Sequence, residues 1–179
     1  MSTWSLDASN GELRILSGVT GRAAKMGHRL TMAMQSWRAT LQWDGETPTS
    51  AELLVDVDSL EVLSGEGGVT PLGSTEKGVA RSNAVKAMDA KKYPQIRFVS
   101  SDIAKTSDGY RLTGTLEIHG TSLPQVVDLK VHDAGAAWEL STQVPVTQTE
   151  FGVKLISLLM GAMKVADEVT IDFHASYPK

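Results

Sequence analysis

Apolar and polar residues alternate along most of the chain. In the segment 37–43, for example, tryptophan, alanine and leucine alternate with arginine, threonine and glutamine. A period of two is typical of a strand with one face buried, because successive side chains point to opposite faces of a sheet. The alternation recurs in short segments separated by turn residues, which predicts an antiparallel β-sandwich or β-barrel. These segments are 13–17, 30–34, 37–43, 51–57, 96–98, 110–118, 127–131, 138–144 and 169–175.

Residues 75–90 depart from this pattern and are predicted to form a helix. Val79, Ala80, Ala84 and Met88 recur at helical spacing. Ser74 or Thr75 is the expected N-cap, since a hydroxyl can accept a hydrogen bond from the free amides of the first turn. The Tyr93-Pro94 pair is expected to stop the helix, because the residue before a proline avoids the α region.

Two further segments lack alternation. The stretch 155–161 is almost entirely apolar, and we expect a short apolar helix or loop near residues 153–163. The glycine-rich stretch 64–73 is expected to be a flexible connection that leads into the helix.

Composition and charge narrow the functional classes. The chain has 179 residues, 41% of them hydrophobic, which fits one domain spanning residues 1–179 with a real core. The formal net charge of −4 and the lack of any basic run longer than Lys91-Lys92 argue against a nucleic-acid partner. No signal peptide is recognised at the start, so a cytoplasmic location is expected. The apolar-rich stretch 153–165 is too short to span a bilayer.

The sequence offers no catalytic constellation. Cysteine is absent, so thiolate nucleophiles, disulfides and cysteine-based metal sites are excluded. The four histidines show no ligand spacing, and no Gly-x-Ser-x-Gly motif occurs. We therefore expect no catalytic residues, no metal and no cofactor, and we expect the protein not to be an enzyme.

The apolar residues suggest a ligand cavity instead. An antiparallel barrel of about eight strands can just enclose one small or elongated ligand, and methionine adapts well to a flexible apolar one. Strand phase and the apolar segment together predict which residues line the cavity, although some of them must pack the closed end of the barrel. The predicted lining residues are Leu30, Met32, Met34, Ile96, Phe98, Leu112, Leu116, Ile118, Phe151, Leu158, Leu159 and Met163, and the predicted contacts to a polar headgroup are His28, Ser82 and Asn83.

Several motifs, in order, resemble those of the YceI family. The segment 80–98 resembles the family's helix followed by a "KYP-x-I-x-F" strand, and 112–121 resembles its "v-x-G-x-L-t-i-h-G" strand and turn. Shorter matches are Gly27–Leu30, Glu150–Gly152 and Val165–Val169. Thr147 and Gln148 stand where the family usually has an arginine, and Glu150 replaces the usual aspartate.

The resemblance implies a mainly β protein, an antiparallel lipocalin-like barrel of about eight strands that binds a polyisoprenoid or isoprenoid quinone in its lumen. Carriage, storage or sequestration of that small apolar lipid is the expected function. Two alternatives stay open: an enzyme acting on an isoprenoid or lipid substrate inside the barrel, and a barrel with a filled core that serves as an interaction module. Lumen volume separates the filled-core alternative from the other two. The sequence also leaves open whether the protein forms a homodimer.

Overall fold

Antiparallel strands account for most of the chain in the computed structural model, which describes residues 1–179. All strand pairings in the main sheet are antiparallel, so the predicted mainly β fold is confirmed. In chain order the elements are β1 (Ser2–Asp7), β2 (Gly11–Leu16), β3 (Val19–Thr20), β4 (His28–Met34), β5 (Trp37–Asp44), β6 (Thr47–Asp56), β7 (Leu60–Gly67), α1 (Ser74–Ala87), β8 (Gln95–Lys105), β9 (Gly109–Ile118), β10 (Thr121–Asp133), β11 (Ala137–Thr147), β12 (Ser157–Leu158), β13 (Met163–Val165) and β14 (Glu168–Pro178).

The main sheet has eleven strands, in the order β1-β5-β6-β8-β9-β10-β11-β14-β2-β4-β7, rather than the expected eight or so. It closes on itself because β1–β2, β4–β5 and β6–β7 are each one long strand with a bend. Thus β5 pairs with β6 and β4 pairs with β7 on either side of the same bend. Likewise β1 pairs with β5, whereas β2 pairs with both β4 and β14. Each bent pair therefore serves as a single strand of the barrel wall.

Two strands of the main sheet, β1 and β7, were not predicted from the sequence, and each adjoins a predicted strand across one of these bends. Two backbone hydrogen bonds join the bend between β4 and β5 to the bend between β6 and β7. The Asp56 amide donates to the Ser36 carbonyl at 3.0 Å, and the Gln35 amide donates to the Ser59 carbonyl at 3.2 Å. These bonds keep the two arms of the hairpin in register. The expectation of a flexible connection over 64–73 is wrong for residues 64–67, since they form the end of β7 and pair with the start of β4.

The predicted helix is present as α1 and lies across one end of the barrel. Gly73 is its N-cap and no side chain caps it, so the expectation of a capping bond from Ser74 or Thr75 is wrong. The helix is fastened to β7 by Arg81, whose guanidinium donates to the Leu60 carbonyl at 2.8 Å. The helix is also too short and too polar to cross a membrane.

The apolar segment after residue 153 forms neither a regular α-helix nor an irregular loop throughout. Residues 157–158 and 163–165 form the short strands β12 and β13, joined by a single 3-10 turn, Leu159–Gly161. Strand β13 also pairs with β3, which makes a separate three-stranded sheet beside the end of the barrel covered by α1. We call this small sheet, its connecting turns and the adjoining start of β4, residues 18–30 and 152–165, the mouth sheet. Its short strands need partners from distant parts of the chain, which explains why local periodicity did not predict them.

The turn between β9 and β10 gives the His-Gly part of the recognised motif a structural reason. His119 and Gly120 have φ values of 54° and 73°, as a two-residue hairpin turn requires. A Cβ on Gly120 would lie 2.5 Å from the ring of Tyr93, whose own ring lies 4.8 Å from that of His119. The KYP and His-Gly motifs therefore meet in space, and their contact joins the segment after the helix to the barrel wall.

Two groups of buried side chains form the interior. The larger group centres on Phe98, Leu112, Leu116, Leu129 and Leu140, and the smaller one on Met34, Trp37 and Val55. Between these groups and α1 the interior is left unfilled.

Candidate functional site

A cavity of about 430 Å³ lies between the barrel wall, α1 and the mouth sheet. It is partly open to solvent, and its volume falls within the ~300–1,000 Å³ typical of small-molecule pockets. Of the 32 residues that line it, 23 are hydrophobic. The barrel is therefore not filled at this end, contrary to the filled-core alternative.

Neighbouring strands contribute the apolar wall of this cavity. Met32 of β4 pairs with Ile15 of β2, and Ile15 pairs in turn with Ile171 of β14, so the three side chains form one stripe. On the opposite part of the wall lie Ile96 of β8 and Ile118 of β9. The strand alternation that identified these elements also explains this wall, because paired residues on the inward phase all face the lumen.

Helix α1 covers the cavity with small side chains. Ala80, Ala84 and Ala87 recur at helical spacing and face the space below, as does Met88 just after the helix. Alanine methyl groups reach only a short distance from the helix, so the volume beneath it stays empty. Val79 also lines the cavity, yet 56% of its surface is exposed, which places it at the opening.

The turn Gln148–Phe151 directs an aromatic ring into the cavity and is held by Asp167. The Thr149 amide and hydroxyl donate to the two Asp167 carboxylate oxygens at 2.8 Å and 2.6 Å. These bonds favour the charged carboxylate, so they hold the pKa of Asp167 below its ordinary value of 3.8, with the Thr149 hydroxyl as the largest cause. Phe151 is only 3% exposed as a result of this placement. The Glu-Phe-Gly and Asp-Glu-Val motifs are thus two sides of one contact.

Polar side chains around the cavity fall into two groups. The inner ones are satisfied by the protein itself: the Leu30 amide donates to Ser17 Oγ at 3.2 Å, and Gln148 Nε2 donates to the Ala166 carbonyl at 3.0 Å. The outer ones are exposed and lie at the rim, namely Thr75, Glu76, Asn83, Lys154 and Lys164. The interior therefore presents hydrocarbon, and charge is confined to the opening.

The structure places the predicted lining residues in three locations. Seven contribute to the cavity wall: Leu30, Met32, Ile96, Ile118, Phe151, Leu158 and Met163. Four others are buried in the packed core away from the cavity: Met34, Phe98, Leu112 and Leu116. Leu159 is half exposed on the surface of the mouth sheet and does not line the cavity. Strand phase predicts which side chains point inward, but not how far along the barrel the empty space extends.

Of the predicted headgroup contacts, His28 and Asn83 line the cavity, whereas Ser82 is exposed on α1 and does not. His28 Nε2 lies 2.7 Å from the Thr70 carbonyl, and since a carbonyl can only accept, this nitrogen carries the proton. Sequence analysis did not select the rim residues Glu76, Lys154 and Lys164. Lys154 and Lys164 interrupt an otherwise apolar segment, and this feature of the sequence could have identified them as rim residues.

The other three histidines lie away from the cavity. His119 is in the β9–β10 turn, and His132 is exposed near the end of β10. His174 is exposed on the outer surface, where its Nε2 lies 3.4 Å from Glu139 Oε2. Within residues 1–179 no three histidine or acidic side chains cluster closely enough to hold a metal ion.

These features define a closed antiparallel β-barrel with one apolar cavity that opens at a rim of polar residues, which is the architecture of a small-ligand binding domain. The chain belongs to the YceI-like domain family, whose model matches residues 4–177.

Solved structures agree with this assignment. The crystal structure of Burkholderia cenocepacia BcnA matches with a TM-score of 0.71 and 26% sequence identity, over 96% of this chain and 98% of that chain. A Campylobacter jejuni YceI protein matches with a TM-score of 0.62 and 15% identity, over 83% of this chain and 84% of that chain, and shows the fold alone. No curated protein matches the chain.

Proposed function

We propose that the protein binds one apolar isoprenoid-like lipid, a polyisoprenoid or an isoprenoid quinone, in the barrel cavity and so carries, stores or sequesters it. The observation that supports this proposal most directly is the apolar cavity itself, with 23 hydrophobic lining residues and with its charged side chains confined to the rim. The resemblance to the YceI family points to the same class of ligand.

The energetics of such a site favour a hydrocarbon chain. Each methylene removed from water contributes ~0.8 kcal/mol, so a long chain binds tightly through area alone. Ser17 and Gln148, the inner polar side chains, already have protein partners. A polar ligand placed inside would therefore lose its bonds to water and find few in return.

The polar end of the ligand belongs at the rim. His28 and Asn83 lie there together with Glu76, Lys154 and Lys164. A hydroxyl or quinone carbonyl at this position could keep its contact with water or accept a hydrogen bond from a lysine. Long chains can also extend out of the opening, so the cavity volume does not set an upper limit on ligand length.

Binding rather than catalysis is proposed because the cavity wall presents no nucleophile beside a base. Ser17 Oγ accepts a hydrogen bond from a backbone amide, and the protonated nitrogen of His28 is engaged by a carbonyl. The enzyme alternative makes a distinct prediction: a bound lipid would emerge chemically changed, and His28→Ala would abolish the change.

The decisive experiment is native mass spectrometry of protein purified from cells, followed by extraction and identification of any bound lipid. The proposal predicts a stoichiometric adduct whose mass fits an isoprenoid. It also predicts that delipidated protein takes up added geranylgeraniol one to one and returns it with unchanged mass. Protein that purifies without an adduct and takes up no geranylgeraniol would refute lipid binding, and recovery of an altered lipid would favour the enzyme.

A further inference from the structure

Large apolar side chains are exposed around the opening of the cavity. Eight large hydrophobic residues are substantially exposed in the whole chain. Three of them, Met26, Val79 and Leu158, line the cavity at its opening, and the exposed Leu159 and Met160 directly follow Leu158 in the chain. Met160 is fully exposed, and Leu158 and Leu159 are each about half exposed, at 50% and 51%. We call residues 158–160 the apolar tip. Large apolar side chains that are exposed close together are typical of an interaction surface.

The backbone of the apolar tip holds these side chains outward in an unusual conformation. Leu159 and Met160 have φ values of 52° and 54°, and Gly161 follows at 89°. Residues with bulky side chains rarely adopt the left-handed region, and such outliers concentrate at functional positions. Folding alone does not require leucine and methionine here, since asparagine or glycine would fit this turn with less strain.

The charged side chains of the mouth sheet are all basic. Its two segments carry five basic residues and no aspartate or glutamate, although the whole chain has a net charge of −4. The two segments form one unit, because β13 pairs with β3 and the Ala23 amide donates to the Ala162 carbonyl at 2.8 Å. Only Arg29 has an ion-pair partner, Glu66, at 3.6 Å. The basic residues without such a partner are Arg22, Lys25, Lys154 and Lys164.

We propose that the mouth sheet docks on a bilayer containing anionic phospholipid, with the apolar tip inserted among the headgroups and the basic residues on the phosphates. Exposed apolar side chains flanked by lysine and arginine are what a surface-bound segment requires. Docked in this way, the cavity opening faces the bilayer, so a lipid chain could pass between the two without crossing water. This surface goes beyond the proposed function, because docking does not depend on which ligand the cavity holds.

The test compares vesicle binding of delipidated protein and its variants by flotation with equimolar phosphatidylcholine and phosphatidylglycerol. Leu159→Asn combined with Met160→Asn removes the apolar tip, and asparagine tolerates the left-handed backbone, so the fold should be kept. We expect binding to fall at least about tenfold. The matched control is Val126→Asn, which changes a residue that is 47% exposed on the distant strand β10 and should leave binding unchanged.

The charge contribution is tested separately with Arg22→Gln combined with Lys25→Gln. Neither residue lines the cavity. Because the variant removes two of the four unpaired basic residues, binding should fall roughly tenfold or more and lose about half of its salt dependence. Lys105→Gln combined with Lys130→Gln removes the same charge from the opposite end of the barrel and should have little effect.

Two results would overturn docking: the wild type fails to float with these vesicles, or the mouth and control variants float equally. A third result would replace it, namely a dimer in sedimentation velocity that both mouth variants disrupt, with no vesicle binding. Geranylgeraniol uptake is measured on every variant. Uptake that persists in the mouth variants separates failure of docking from failure of the proposed function.

Discussion

Filling the cavity from the helix side should separate ligand binding from folding. Ala84 lies on α1 and faces the empty space, so Ala84→Phe adds six ring carbons there without introducing charge. A cavity of about 150 Å³ holds a whole benzene molecule, so the added ring takes at most roughly that volume. This is a large fraction of the 430 Å³ cavity.

The expected loss of affinity follows from the displaced ligand atoms. A ring of six carbons excludes about six methylene-sized groups of the lipid, each contributing ~0.8 kcal/mol when buried, or roughly 5 kcal/mol in all. That corresponds to between about three and four orders of magnitude in Kd, as an upper value, because part of the chain can shift toward the opening. Stability should not fall, since the lower helix propensity of phenylalanine costs at most ~0.7 kcal/mol and burial of the ring contributes up to ~3 kcal/mol.

The assay is titration of delipidated protein with geranylgeraniol by isothermal calorimetry, with thermal unfolding measured on the same samples. Ser82→Phe is the matched control, because Ser82 lies on the same helix but is exposed and does not line the cavity. The control should bind like the wild type. Full affinity in a stably folded Ala84→Phe variant would show that the ligand binds elsewhere and would refute the cavity assignment.

Three further predictions concern folding and its relation to the site. Met32→Lys places a charge at the wall of a cavity that is partly open to solvent, whereas Leu116→Lys places it in the packed core. In urea denaturation Leu116→Lys should therefore be less stable than Met32→Lys by roughly 2 kcal/mol or more. Met32→Lys should lose lipid uptake but keep its fold. Equal destabilisation of the two variants would contradict this prediction. The lowered pKa of Asp167 stabilises the fold fully above the carboxyl's ordinary value of 3.8, and this contribution is lost as the pH falls through the folded-state pKa. Asp167→Asn should therefore lower the free energy of unfolding at neutral pH and make it depend less on pH in the acid range. If the wild type and the variant lose stability in parallel as the pH falls, Asp167 does not stabilise the fold in this way. Gly120→Ala meets both a φ of 73° and a nearby tyrosine ring, so it should cost about 1–3 kcal/mol. Gly45→Ala is the control, because Gly45 has a φ of 63° but open space around it. If both variants lower the urea midpoint equally, backbone strain alone is responsible and the contact with Tyr93 contributes nothing.

Local patterns in the sequence determined most of the strand architecture. Alternation identified strands such as β5 and β9 because one face of each is buried, and burial of one face imposes a period of two. The helix over 75–90 was equally readable from the spacing of Val79, Ala80 and Ala84. The family motifs then gave the barrel, because their order along the chain reflects contacts such as that between Tyr93 and the His119–Gly120 turn.

What required the tertiary structure was everything that depends on distant partners. Strand β7 forms because β4 offers it an edge, and β3 and β13 form because each provides a partner for the other. Their own residues contain no strong strand signal.

The candidate site divides in the same way. Alternation shows that Met32 and Leu116 both point inward, yet only the packing of α1 and the mouth sheet decides that the first borders empty space and the second is enclosed by other side chains. The charged rim around Lys154 and Lys164 arises because residues far apart in sequence meet at one end of the barrel. Periodicity reports the direction of a side chain, whereas a cavity is a property of everything that surrounds it.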